Sequence, residues 1–157
     1  MSSIVAPVFR RYYAEMAELV RLENADENTL QEINALLRQL SERASACTLE
    51  LLTGIVQNRD LELWVVKDAD IVVGMGQLVL VLKPGGTVAR FEDFVVDESQ
   101  RGKGLGTKIL EKLIERARAR GASAVQFSSR AERTAANALY QKLGFKIHET
   151  NSYYMNL

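Results

Sequence analysis

Apolar residues recur along this chain with two different periods, and the switches between them divide it into elements. Met1 to about Glu15 shows no clear periodicity. From Ala17, Leu19, Arg21 and Glu23 alternate with Val20 and Leu22, which predicts a short strand broken by the polar cluster Asn24 to Asn28. Leu30, Ile33, Leu36, Leu37 and Leu40 then fall on one face of a helix, and Thr29-x-x-Glu32 has the form of a capping box. A second helix is expected from about Thr48 to Val56, through Leu49, Leu51, Leu52 and Ile55, ending in the polar run Gln57 to Asp60.

Strand patterns follow. Leu61 to Lys67 and Ile71 to Leu82 are joined by Asp68-Ala69-Asp70, which predicts a β-hairpin, and Pro84-Gly85-Gly86 turns the chain into a further strand, Thr87 to Val96. Leu105 to Arg120 is strongly amphipathic (Ile109, Leu110, Leu113, Ile114, Ala117), with Gly121 placed as its C-cap. Ala124 to Ser129 is expected as a strand and Thr134 to Leu143 as a helix ended by Gly144. Phe145 to Ile147 with Tyr153 to Met155 is expected as a final hairpin. The sum is an α+β fold with helices on a mixed sheet. No repeat or linker divides it, so residues 17–157 read as one domain, with residues 1–16 as an extension to which no function is assigned.

Composition narrows the function classes. A chain of 157 residues with 47% hydrophobic content can bury a core. Twenty basic and twenty acidic residues cancel, so the molecule as a whole has no electrostatic reason to seek nucleic acid or anionic lipid. Cys47, the one cysteine, has no disulfide partner, and no secretory leader or membrane span is visible, which together suggest a cytoplasmic setting. Cys47 itself reads as buried, inert and away from the motifs. With His148 as the lone histidine, neither a metal site nor a Ser-His-Asp arrangement has support, and a surface or packing role suits it.

Local chemistry concentrates after Val96. The stretch Asp97-Glu98-Ser99-Gln100-Arg101-Gly102-Lys103-Gly104-Leu105-Gly106-Thr107 passes from a strand through a polar turn into three alternating glycines that open a helix. Such a junction aims backbone N–H groups and the positive end of the helix dipole at one spot, which suits a phosphate or pyrophosphate, and Arg101 and Lys103 add charge. The spacing is neither G-x-G-x-x-G nor the Walker G-K-[ST]. A turn that needs glycines only for its dihedral angles is the other reading.

Arg101-x-x-Gly104-x-Gly106 after an apolar strand resembles the acetyl-CoA motif [QR]-x-x-G-x-[GA] of the GNAT superfamily, and Asn137-Ala138-Leu139-Tyr140-Gln141-Lys142-Leu143-Gly144-Phe145 is similar to the family's N-x-x-[LF]-Y-x-x-x-G-F segment. The resemblance implies the acyl-CoA N-acyltransferase fold: a mixed, mostly antiparallel sheet with helices on both faces, in which the strand before the loop splays from the next to form a V for the pantetheine arm. It implies acetyl-CoA as cosubstrate and no metal, with Phe94, Val95 and Val96 contacting it through their backbone. Arg101, Gly102, Lys103, Gly104, Leu105, Gly106 and Thr107 would hold the pyrophosphate, and Asn137 the pantetheine or acetyl group. The acceptor would be a small-molecule or protein amine. A homodimer fits the family's habit, although no apolar stripe calls for one.

Acetyl transfer to an amine needs a base for the amine proton and an acid for the leaving thiolate. Tyr140 suits the acid, since a phenol titrates near pH 10, close to a thiol; a core aromatic is the other reading. Glu92 and Asp93, adjacent on an otherwise apolar strand and therefore expected on opposite faces, suit the base, and this pair resembles the glucosamine-phosphate acetyltransferase branch. Glu92 is favoured, acting directly or through water, with Asp93 as substitute; a structural hydrogen-bonding role is the alternative. Arg130 and Arg133 suit an anionic acceptor or the cofactor's 3'-phosphate, or simple solvation. A non-catalytic acyl-CoA sensor would keep the loop without needing Tyr140 or the carboxylates. The acceptor itself is not written in these residues.

Overall fold

The computed structural model describes Phe9, residues 12–14 and residues 16–157. Most of the opening stretch, residues 1–8, 10, 11 and 15, lies outside the described residues. Two compact units are formed, residues 1–127 and 128–157.

The first unit is built on a sheet of order β1-β2-β3-β4-β5. Its strands are β1 (Glu18–Arg21), β2 (Leu61–Asp68), β3 (Ile71–Lys83), β4 (Gly86–Val96) and β5 (Val125–Gln126). The first four pair antiparallel, and β5 is parallel to β4. The β2–β3 turn is tight because Ala69 and Asp70 both take positive φ, at 47° and 68°. Two helices, α1 (Glu27–Leu40) and α2 (Leu49–Gln57), join β1 to β2, and α3 (Leu105–Ala119) joins β4 to β5.

Alternation along the strands explains the layers. Met75 joins the core made by Leu30, Ile33 and Leu36 of α1, Leu52 of α2, and Leu63, Val65 and Val95 of the sheet. Its neighbours Gly74 and Gly76 face the other way, against α3. A Cβ on Gly76 would come within 2.9 Å of both Ile109 and Leu113, which are fully buried, so α3 approaches the sheet only because a side chain is missing there. Helices therefore cover both faces.

On the α3 face Glu62 is buried at 1% exposure and fully engaged. Its carboxylate accepts from Arg116 Nε and Nη2 at 2.9 Å, from Arg120 Nη1 at 2.8 Å and from Trp64 Nε1 at 3.0 Å. These bonds hold its carboxyl at about 2, against the desolvation that alone would raise it.

Three expectations need correction. The cap of α1 is Asp26, whose side chain accepts from the Thr29 N–H at 2.9 Å; Glu32 instead reaches forward to the Val72 N–H at 3.0 Å, so Thr29 and Glu32 form no capping box. The strand expected over Ala124 to Ser129 is two residues long. The final hairpin is absent, and Ile147, Tyr153 and Met155 stay exposed. The stretch between its arms, His148 to Ser152, lacks glycine or any tight-turn pair, and a lone hairpin is marginal without such a turn. Elsewhere α3 ends as expected, with Gly121 at φ 75° and the Ala122 N–H reaching the Ala117 carbonyl. Among the described residues no helix is long and apolar enough to cross a membrane.

Candidate functional site

β4 carries the first group of candidate residues. It pairs with β5 at Ala89 and Arg90, and among the described residues the β5 ladder goes no further along it. The Phe91 and Phe127 rings stack at 5.9 Å where β5 leaves the sheet.

The strand is also irregular there. Met75 pairs with Val95 and Gln77 with Glu92, so Asp93 and Phe94 together oppose Gly76: a β-bulge, with Asp93 at φ 50°. The bulge breaks the alternation on which the opposite-face expectation for Glu92 and Asp93 rested. Gln77 lies two residues from Met75 and so shares its face, and Glu92, paired with Gln77, turns toward the α1–α2 side. The Asp93 carboxyl lies near enough to Cys47 to raise its thiol.

The two carboxylates differ in company. Glu92 Oε1 accepts from Arg90 Nε at 3.0 Å, both side chains being half exposed. Among the described residues Asp93 has no hydrogen bond or ion pair from its carboxyl. Poor solvation, and then the neighbouring Glu92 charge, push the Asp93 carboxyl above its ordinary value. Solvent nonetheless reaches the residue.

Cys47, expected to be buried, is half-buried and lies near Asp93. Asn34 of α1 clamps its backbone, accepting from the Cys47 N–H at 2.7 Å and donating to its carbonyl at 3.0 Å. Burial chiefly, and the Asp93 carboxylate next, raise the thiol.

Past Val96 the chain is tied down before it reaches the glycines. Asp97 accepts from the Ser99 N–H at 2.9 Å and from Gln39 Nε2 at 2.8 Å, and the Glu98 N–H donates back to Gln39 Oε1 at 2.9 Å. Arg101 Nε donates to the Val96 carbonyl at 3.0 Å. Gly102 and Gly104 then take φ of 77° and 87°, where a side chain is strained. Gly104 is the cap residue of α3 and offers no side-chain acceptor, so the helix itself supplies no partner for the N–H groups of Leu105, Gly106 and Thr107. This geometry fits a pyrophosphate, whose oxygens need such donors.

The cations of the loop are not solvated at random. Lys103 Nζ donates to Gln100 Oε1 at 2.6 Å and stands 4.4 Å above the centre of the Tyr13 ring. Tyr13 donates its hydroxyl proton to Asp68 and lies 3.0 Å from Gln100 Oε1. Lys108 Nζ donates to the Ala14 and Ala17 carbonyls.

The second unit, residues 128–157, carries the other candidates on α4 (Thr134–Lys142). Gly144 at φ 93° ends that helix, with the Phe145 N–H bonded to the Tyr140 carbonyl at 3.0 Å. Tyr140 is buried at 6% exposure, its ring edge-on to Phe145 at 6.3 Å and 81°. Burial raises its phenol, while the charge and hydrogen bond of Arg133 oppose the rise. Arg133 is thus occupied with Tyr140. Asn137 lies one turn earlier and spends its amide on the Arg130 carbonyl at 3.0 Å. Ser129 Oγ is buried and, among the described residues, without a hydrogen-bond partner. His148 is exposed.

Tyr13 and Gln39 escaped the reading of the sequence, because each acts across a long separation with no local pattern. Among the described residues no cluster of His, Cys, Asp and Glu forms a metal cage.

Residues 29–145 match the model of the acetyltransferase (GNAT) family. The chain is 38% identical to a glucosamine 6-phosphate N-acetyltransferase of Trypanosoma brucei brucei over 80 residues, 48% of this chain and 52% of that one. It is 44% identical to an L-methionine sulfoximine/L-methionine sulfone acetyltransferase of Pseudomonas aeruginosa over 52 residues, 33% of this chain and 30% of that one. The match thus spans about half the length of the first relative and less of the second. A Trypanosoma brucei acetyltransferase structure superimposes with a TM-score of 0.72 at 29% identity, over 90% of this chain and 99% of that one. Glucosamine-6-phosphate N-acetyltransferase of Arabidopsis thaliana shares the fold, with a TM-score of 0.72 at 22% identity over 90% and 99%.

Proposed function

Because this chain belongs to the GNAT acetyltransferase family, we propose that it transfers an acetyl group directly from acetyl-CoA to a primary amine, with its own residues supplying the anion cradle, the base and the acid. The observation that carries this reading is the α3 N-terminus that follows β4, whose cap is a left-handed glycine with no side-chain hydrogen bond. Backbone groups of Phe94 to Val96 suit a pantetheine amide, and the N–H groups of Leu105, Gly106 and Thr107, with Gly102 and Gly104 bare beside them, suit the pyrophosphate. When bound, acetyl-CoA supplies the activated acetyl thioester.

Asp93 rather than Glu92 is the proposed base. Glu92 already holds Arg90, whereas the Asp93 carboxyl is unengaged, reachable and raised toward the pH at which an amine proton must be taken. The neutral amine nitrogen would bond to the acetyl carbon as its proton passes to Asp93, and the C–S bond would then break, the leaving thiolate taking the proton of the Tyr140 phenol and leaving a phenolate there.

Two measurements test this reading. Acetyl-CoA at about 100 times its Kd is expected to stabilise the fold by about 3 kcal/mol, a rise in Tm of roughly 5–10 °C. No shift at millimolar acetyl-CoA removes the proposal. The Asp93 assignment predicts an acid limb in kcat/KM, the rate rising with pH as a carboxyl above the ordinary aspartate range loses its proton. Asp93→Asn is expected to abolish that limb and lower kcat/KM by about 100-fold, with a smaller loss in Glu92→Gln. If Glu92→Gln abolishes the limb and Asp93→Asn does not, the roles are reversed.

A further inference from the structure

Lys103 is the one loop side chain whose charge is placed by something other than solvent or its own strand. Its ammonium bridges Gln100 Oε1 at 2.6 Å and the face of Tyr13 at 4.4 Å, a cation–π geometry that keeps the positive charge intact while restricting where it points. The Tyr13 ring is fixed in turn. Its hydroxyl donates to Asp68 in the β2–β3 turn and lies 3.0 Å from Gln100 Oε1, and the Asp68 carboxylate raises its phenol. Its neighbours are also anchored, because Lys108 in the first turns of α3 donates to the carbonyls of Ala14 and Ala17, and the Ala17 N–H closes back on the Tyr13 carbonyl at 3.0 Å. Two lysines of the loop and helix therefore grip a segment that precedes the family match at residue 29.

We infer that Tyr13 is a positioning residue for acetyl-CoA, holding Gln100 and Lys103 so that the glycine loop meets the pyrophosphate already ordered. The inference rests on the loop being the pyrophosphate site. A free loop of this kind must lose the freedom of a lysine and a glutamine side chain when the anion arrives. With Tyr13 in place that ordering belongs to folding. Tyr13 touches no reacting atom, so its effect falls on cofactor affinity and leaves the chemical step alone.

The test compares acetyl-CoA with acetyl-pantetheine, which carries the same thioester but no pyrophosphate, on the full-length chain. Tyr13→Ala is expected to raise Kd and KM for acetyl-CoA by about fivefold to tenfold with kcat within about twofold, and to leave acetyl-pantetheine unchanged. Tyr13→Phe, which keeps the ring under Lys103, is expected to recover most of that loss. Combining Tyr13→Ala with Lys103→Ala is expected to cost less than the product of the two single effects, since both remove one contact. Calorimetry and initial rates read all four, with Tm and far-UV circular dichroism confirming the fold. Should Tyr13→Ala misfold, Tyr13→Phe and Lys103→Ala carry the comparison, and Lys103→Ala must then weaken acetyl-CoA alone. Equal weakening of both ligands, unchanged acetyl-CoA affinity, or tighter binding on losing Tyr13 overturns the inference while the acetyl-CoA site stands. Failure of the unsubstituted chain to bind acetyl-CoA overturns the site and the inference together.

Discussion

Tyr140→Phe is expected to lower kcat by about 100-fold while the KM for acetyl-CoA stays within about twofold of the unsubstituted value. The substitution keeps the ring and its edge-on contact with Phe145, and removes only the hydroxyl that burial keeps protonated. A proton donor for a thiolate must still hold its proton at neutral pH, and the raised phenol of Tyr140 does so. Arg133 opposes that rise, which also eases the accumulation of negative charge when the proton leaves. Thiol release measured at saturating amine and acetyl-CoA, on protein of matched Tm, reads the effect. A kcat within twofold of the original would remove Tyr140 from the chemistry and return it to the core.

Glu62→Gln is expected to destabilise the fold by about 3 kcal/mol, a fall in Tm of roughly 10 °C, without altering the glycine loop. Two arguments give that size. Removing one member of a buried ion pair strands its partners, here Arg116 and Arg120, which are left with an amide that carries no charge. Independently, a carboxyl at about 2 in the folded state and near 4.5 when unfolded contributes about 3 kcal/mol at neutral pH. Because the folded value is depressed, this stability is present above pH 4.5 and is lost as pH falls toward 2. The gap in Tm between original and variant is therefore expected to be widest near pH 7 and to close toward pH 2. A gap that does not narrow on acidification would show that packing, and not charge, is what the substitution damages.

Helices and the glycine loop were the most legible parts of the chain, since each writes its requirement in consecutive residues. The stripe Leu30, Ile33, Leu36 is buried on α1, the stripe Ile109, Leu110, Leu113 on α3, and the glycines at 102 and 104 take left-handed angles that few other residues tolerate. Competing local signals misled at the start of α1. Asp26 and Thr29 are both good caps three residues apart, and Asp26 wins because its carboxylate reaches both the Thr29 N–H and its hydroxyl. At Glu92 and Asp93 the error came from assuming unbroken alternation. A bulge is set by what β3 can pair with, and nothing within Phe91 to Val96 marks it. Tyr13 and Cys47 were illegible for a different reason: Tyr13 meets Lys103 across 90 positions and Cys47 meets Asp93 across 46, and such pairings leave no local period.

The backbone at residue 93 bears on how this enzyme would respond to selection for heat resistance. An L-residue held at φ 50° carries strain of about 1 kcal/mol that glycine would not feel, although aspartate tolerates the angle better than most. Glycine at that position is thus an easily reached stabilising change that deletes the carboxylate proposed as the base. A population evolving for thermal endurance alone would be drawn to it, and one that must also turn over its amine would be held back.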